Sequence, residues 1–233
     1  MSGIKLIVNA DDFGFTRDVN EGIVEAHRNG ILTATTLMAY GDAFDHAVAL
    51  AKETPSLDVG CHLVLVDRWG VKNLAWALAQ SESRVFETFA AQVRKIVRAG
   101  IQPTHLDTHK HAHLLPSALS AITRVAREFG IVWVRQPLVL AQRRKMRGLK
   151  TTDHFTGFRA TGNLNRESLI GELERLPEGL TEFMCHPGKL GEELQMAPTR
   201  LKESRAIELA ALTSGEVRDV VQRRGIQLVN YRD

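Results

Sequence analysis

The chain has 233 residues, 44% of them hydrophobic and 24% charged, with a net charge of +3. This is the balance of one soluble globular domain with a core large enough to need no disulfide framework, and the basic excess is too small to argue for a nucleic-acid partner. The two cysteines, Cys61 and Cys185, lie far apart and outside any CxxC pair, the pattern of reduced thiols in a cytoplasmic protein.

In chain order, Ile4 to Asn9 is a short apolar run that reads as a buried strand. It is too short for a signal peptide, and no apolar run elsewhere is long enough to span a membrane. Asp11-Asp12-Phe13-Gly14 follows at its C-terminal end, and Thr16 or Asp18 can cap a helix over Val19 to Arg28, stopped by Asn29-Gly30. Ile31 to Met38 predicts a second strand and Phe44 to Lys52 an amphipathic helix. Leu57 to Leu65 predicts a third strand, carrying His62. Asp67 to Ser81 is read as a loop with one helical turn, and Val85 to Ala99 as a strong helix ended by Gly100.

A fourth strand then runs into His105-Leu106-Asp107-Thr108-His109-Lys110-His111-Ala112-His113, which holds four of the chain's nine histidines. Pro116 fits the first turn of the helix that follows, Ser117 to Phe129. Ile131 to Arg135 is a strand, and Leu138 to Asn163 is read as an excursion without a clean period. The basic run Arg143 to Arg147 within it is a charged surface loop. Arg166 to Leu176 is helical, Leu180 to Cys185 a strand ending in His186-Pro187-Gly188, Thr199 to Arg224 one or two helices, and Ile226 to Tyr231 the closing strand.

Strand and helix alternate about seven times, which implies a parallel sheet with crossover helices. No GxGxxG follows the first strand, which counts against a dinucleotide-binding sheet. The expected fold is an irregular, TIM-barrel-like (β/α) barrel over residues 1–233, with eight units or fewer.

In a barrel the C-terminal strand ends face one mouth. That edge would gather Asp11, Asp12, His62, Asp107, His109, His111, His113, Arg135, Glu182 and His186. Taken singly, Asp11-Asp12 could be a helix cap, His62 a satisfied core histidine, and Arg135 with Glu182 a structural ion pair. Their coincidence at one end points to chemistry. One carboxylate and two imidazoles form a ligand set with open positions for a divalent metal. A second carboxylate can serve as general base and a further histidine can protonate a leaving group. That is the design of an amide or ester hydrolase.

These residues resemble the YdjC family of carbohydrate deacetylases, which includes chitooligosaccharide deacetylases and a hopanoid-biosynthesis branch. The matching motifs are Val8-Asn9-Ala10-Asp11-Asp12-Phe13-Gly14, Asn20-Glu21-Gly22-Ile23 through Asn29-Gly30-Ile31-Leu32-Thr33, and Pro55-Ser56-Leu57 with Gly60-Cys61-His62-Leu63. Pro103 to His109, Glu182 to Pro187, and Arg205 with Glu208-Leu209 and Leu212-Thr213-Ser214 complete them, in order along nearly the whole chain.

The resemblance implies a fold like that of polysaccharide deacetylases. It also implies removal of an N-acetyl group from an acetylated amino sugar with one divalent metal. Carried over, the metal ligands are Asp12, His62 and His109, the base is Asp11 and the acid His186. Arg135, Glu182 and His113 support the site or bind substrate. The division between Asp11 and Asp12 could be reversed, and His105 with His109 forms a rival HxxxH ligand pair. Zinc, manganese and cobalt suit these ligands by type, and the resemblance adds magnesium. Two departures stand out: Lys110, where the family often carries an uncharged polar spacer, and the short Val66 to Ser81 segment, where relatives carry longer, Pro-rich loops. The hopanoid-biosynthesis branch would imply a sugar carried on a lipid. A homodimer is the assembly the reading allows. A phosphoesterase or another esterase is the rival enzyme, and a non-catalytic sugar-binding protein the rival outside catalysis.

Overall fold

The computed structural model describes residues 3–66, 71–137 and 146–233. Eight strands form one parallel sheet: β1 (Ile4–Phe13), β2 (Ala34–Leu37), β3 (Asp58–Leu63), β4 (His105–Thr108), β5 (Trp133–Val134), β6 (His154–Thr156), β7 (Gly179–Cys185) and β8 (Gln227–Leu228). The order is β5-β4-β3-β2-β1-β7-β6, and β8 pairs with the start of β1 at Lys5 and Leu6. The sheet curls into a half-barrel. Helices α1 (Arg17–Asn29), α2 (Phe44–Glu53), α3 (Val71–Ala79), α4 (Glu82–Arg98), α5 (Pro116–Glu128), α6 (Arg166–Glu174), α7 (Glu192–Met196), α8 (Glu203–Leu212) and α9 (Gly215–Arg223) lie in the connections.

The expected barrel architecture holds, with three local differences. Residues 71–79 form a full helix rather than a loop with one turn. The excursion before Asn163 contains β6, whose three residues are too few for a visible alternation. The first strand continues past Asn9 to Phe13, so Asp11 and Asp12 belong to β1 and cap no helix; Thr16 caps α1, accepting from the Val19 N–H. Arg143 to Lys145 of the basic run lie outside the described residues.

β1 is central and buried along most of its length, as parallel strands covered on both faces must be. Successive side chains of a strand point to opposite faces, and here the faces differ in chemistry. Leu6, Val8, Ala10, Val59, Cys61, Leu106, Val134 and Phe183 join the apolar layer beneath the helices. The alternate positions line the barrel interior in storeys. Ile7, Ala34 and Val229 pack with Tyr231, Trp133 and Leu180 to close the bottom. Asn9, Gly60, His105 and Glu182 lie above them, and Asp11, His62 and Asp107 form the upper storey, which the Arg135 guanidinium joins.

Gly60 shows how tightly this interior is filled. A Cβ there would lie 2.5 Å from the His105 carbonyl oxygen and 2.7 Å from its ring. Gly60→Ala is therefore expected to cost about 1–3 kcal/mol through overpacking. Urea unfolding measures it, and an unchanged midpoint would mean that the His105 ring has room to move.

Candidate active site and metal centre

A β-bulge explains how two adjacent aspartates both reach the mouth. β1 pairs with β2 at Ala10↔Thr35 and again at Phe13↔Leu37, so two residues of β1 stand opposite the single Thr36. Bulges re-aim side chains, and Asp12 takes a positive φ of 70° to accommodate this one. In a regular strand Asp11 and Asp12 would face opposite sides of the sheet. Here Asp11 turns to Arg135, and Asp12 turns to two histidines and Arg205.

Asp12 Oδ1 lies 3.1 Å from His109 Nδ1 and 3.4 Å from His62 Nε2, and those two ring nitrogens are 3.2 Å apart. Three donor atoms thus converge at one point. On its other side His62 Nδ1 donates to Asp107 Oδ1 at 2.7 Å, so Nε2 is the nitrogen left to face an ion, which would displace its proton. This carboxylate–histidine arrangement is the usual support of a metal-ligating imidazole. The Thr36 hydroxyl donates to the second Asp107 oxygen at 3.0 Å. A divalent ion fits this donor set.

A second acidic group, Asp11 with His62 and Asp107, is also close enough to hold a cation. A guanidinium already occupies it. Arg135 Nη2 and Nη1 donate to the two Asp11 oxygens at 2.6 and 2.9 Å, Nη2 lies 2.8 Å from Asp107 Oδ2, and Nε donates to Glu182 at 2.8 Å. Arg135 was expected to support the site or bind substrate. The side chains of Arg135 and Glu182 are 0% and 1% exposed, which favours the supporting role.

Electrostatics follow from this pairing. Burial opposes ionisation of Asp11 and Asp12, but Arg135 beside the first and Arg205 beside the second hold both carboxyls well below the usual range. Burial also opposes a charge on His62, yet Asp107, with Asp11 and Asp12 behind it, raises the ring to about 10. Burial lifts Glu182 to about 7 against the pull of Arg135. His186 Nε2 sits 3.9 Å from Asp11 Oδ2, and burial lowers its ring to about 4 despite both aspartates. The His186 backbone N–H donates to Glu208 at 2.6 Å, which anchors the loop after β7 to α8.

Several participants carried no assigned role in the sequence reading. Arg205, on α8, donates from Nη2 to Asp12 Oδ2 at 2.5 Å and is 1% exposed. An arginine on a surface helix reads as solvated, and only its place in the motif with Glu208 and Leu209 singles it out, without a role. Asp107 and Thr36 hold His62. Asn9 donates to Asp11 Oδ1 at 3.3 Å and accepts from His105 Nε2 at 3.0 Å. His105 itself stacks on Tyr231 at 3.8 Å and bonds Thr104, so it lies one storey below the cluster and outside the ligand group. His113 is buried, with Nδ1 2.6 Å from the Thr108 hydroxyl. Lys110 is exposed. At the opposite end of the strands a cavity of about 610 Å³ is lined by Lys5, Trp133, Asp153 and Asn230 among others, and no residue of the upper storey reaches it.

The model of a family described as YdjC-like protein matches residues 5–223. A carbohydrate deacetylase of Brevibacillus brevis is 35% identical over 248 aligned residues, covering 99% of this chain and 99% of its own length. Among solved structures, an Enterococcus faecalis protein with a proposed cellobiose-phosphate cleavage role superposes with a TM-score of 0.88 at 26% identity, over 99% of this chain and 98% of that one. A family 4 carbohydrate esterase from Streptomyces lividans, solved with acetate, superposes with a TM-score of 0.54 at 10% identity, over 99% of this chain and 94% of its own. That last likeness speaks to the fold alone.

Proposed function

The chain belongs to the YdjC-like protein family, and on that premise we propose that it is a metal-dependent hydrolase removing the N-acetyl group of an acetylated amino sugar. The observation that carries this reading is the convergence of Asp12, His62 and His109 beside an Asp11 gripped by Arg135. The carbohydrate deacetylase name of its relatives supports the sugar as substrate.

Asp12 Oδ1, His62 Nε2 and His109 Nδ1 would hold the ion. Two imidazoles with one carboxylate suit zinc, cobalt or manganese better than magnesium, which prefers oxygen ligands. When bound, the ion supplies a Lewis acid for the acetyl carbonyl and eases deprotonation of water. The chain's own groups do the rest. Arg205 neutralises the far oxygen of Asp12, and Asp107 fixes the His62 tautomer. Asp11, kept ionised by Arg135, takes the proton of the attacking water. His186 is uncharged before reaction because burial holds it near 4. It receives that proton from Asp11 and passes it to the departing amine nitrogen.

The test is acetate release from N-acetylglucosamine-containing substrates by metal-stripped protein, before and after refilling with zinc, magnesium, manganese or cobalt. Release only with metal is the expected result. Metal bound tightly with no acetate from any sugar would favour a hydrolase of another ester or phosphoester bond. His109→Ala should weaken metal affinity by more than the roughly 10–100-fold that loss of an outer-shell partner costs. Calorimetric metal titration reads this directly, and unchanged affinity would remove His109 from the ligand set.

Within this reading, exposed apolar side chains in the connections that follow three strand ends favour a sugar carried on a lipid. Tyr40, Trp76, Leu78, Leu190 and Met196 are 63%, 45%, 59%, 41% and 80% exposed. They stand in segments that leave the C-terminal ends of β2, β3 and β7. No helix among the described residues is long and apolar enough to cross a membrane, so such a substrate would be met at a surface.

A further inference from the structure

The turn after β4 carries two consecutive non-glycine residues in the left-handed region, Lys110 at φ 52° and His111 at φ 54°. Such residues are strained and persist only where their surroundings enforce the conformation. What the turn achieves is the position of the His111 ring. It meets Phe158 edge-on with centroids 4.7 Å apart, Phe155 at 6.0 Å and His113 at 5.6 Å. Phe155, on β6, lies 5.3 Å from the guanidinium carbon of Arg135, the residue that grips Asp11. The cluster of two phenyl and two imidazole rings therefore adjoins the proposed base.

Phe158 is held where it is by its neighbour. Gly157 has φ 93°, and a Cβ there would lie 2.1 Å from the Met184 carbonyl oxygen. Only glycine lets this loop lie against β7, and Phe158, 45% exposed, is the next residue out. Within the cluster, His113 Nε2 and His111 Nδ1 are buried without a hydrogen-bond partner. Buried polar atoms in that state are rare unless something else bonds them.

We propose that Phe155, Phe158 and His111 form a subsite for a pyranose ring of the substrate, with its C–H face on Phe158 and a hydroxyl bonded to the partly buried His111 ring, which the buried His113 backs. The proposal rests on the deacetylase reading and names how that site recognises sugar. A pyranose pairs an apolar face with a hydroxyl rim, which matches an aromatic wall carrying a few placed polar atoms. An alkyl chain would leave the His111 nitrogen unbonded, a poor match for a polar atom at an aromatic wall.

The experiment is steady-state acetate release from the β-linked dimer of N-acetylglucosamine by metal-loaded protein. Wild type is compared with Phe158→Ala, Phe158→Tyr and His111→Gly. Glycine accepts the left-handed conformation, so His111→Gly removes the ring without straining the turn. Phe158→Ala and His111→Gly are expected to raise KM about tenfold or more, equivalent to about 1.4 kcal/mol of binding. In both, kcat should stay within about threefold and metal affinity should not change, and Phe158→Tyr should restore KM. An unchanged KM overturns the subsite. So does a joint fall of kcat, metal affinity and thermal midpoint, which would mark the cluster as structural.

If wild type releases no acetate, the deacetylase reading fails, and saturation-transfer NMR with the same dimer tests the subsite by itself. A sugar signal lost in Phe158→Ala supports it, and an absent or equal signal overturns it.

Discussion

Arg135→Met is expected to destabilise the protein by about 3–5 kcal/mol, the cost of removing one partner from a buried ionic network. Arg135 is the shared cation of Asp11, Asp107 and Glu182, at distances of 2.6 to 2.9 Å. Methionine fills much of the volume but leaves three buried carboxyls facing one another. Their charged forms then have no water and only His62 as a shared counter-ion, so their folded-state pKa values should rise above those of the unfolded chain. A raised carboxyl costs nothing while protonated in both states, and destabilises as pH climbs through its folded value. The deficit of the variant should therefore be present already near pH 5, where Asp11 loses the lowered value that Arg135 gives it, and larger near pH 8. Urea unfolding of both proteins at the two pH values reads it. A deficit equal at both would mean that Arg135 contributes packing rather than charge balance.

Asp11→Asn should lower kcat by about 10²–10⁴-fold, the usual worth of a positioned general base, while metal affinity stays near that of wild type. The amide cannot accept the water's proton, and its NH2 faces the Arg135 guanidinium, donor against donor. Asp12→Asn makes the informative partner, because Asp12 is the carboxylate that converges with His62 and His109. It should lose metal affinity first and activity as a consequence. Metal retained in Asp12→Asn but lost from Asp11→Asn would reverse the two roles.

Much of this site is legible along the chain because its residues sit at strand ends. Alternating strand and helix patterns place Asp11, Asp12, His62, His109, Arg135 and His186 at one edge before any coordinate is known. The His-rich stretch was the strongest local signal, yet its four histidines have separate duties. His105 packs on Tyr231 in the storey below, His109 joins Asp12, His111 meets the phenyl rings, and His113 packs against His111. Spacing cannot separate them, since the two left-handed residues at Lys110 and His111 break the strand period where it would have to be counted. Arg205 is the opposite case. Its partner Asp12 is 193 residues away, so no local pattern could pair them.

The sequence by itself determined the α/β class, the edge where the chemistry collects and the kinds of side chain that collect there. Those follow from hydrophobic periodicity and from ligand chemistry, both written locally. The tertiary structure decided which groups pair. A bulge opposite Thr36 sends neighbouring aspartates to different partners, and the Arg135 guanidinium grips Asp11. It also brings a C-terminal tyrosine under His105 to close the barrel floor. Those outcomes depend on register and on strands far apart in sequence meeting across a curled sheet, and distances of that kind exist only once the chain has folded.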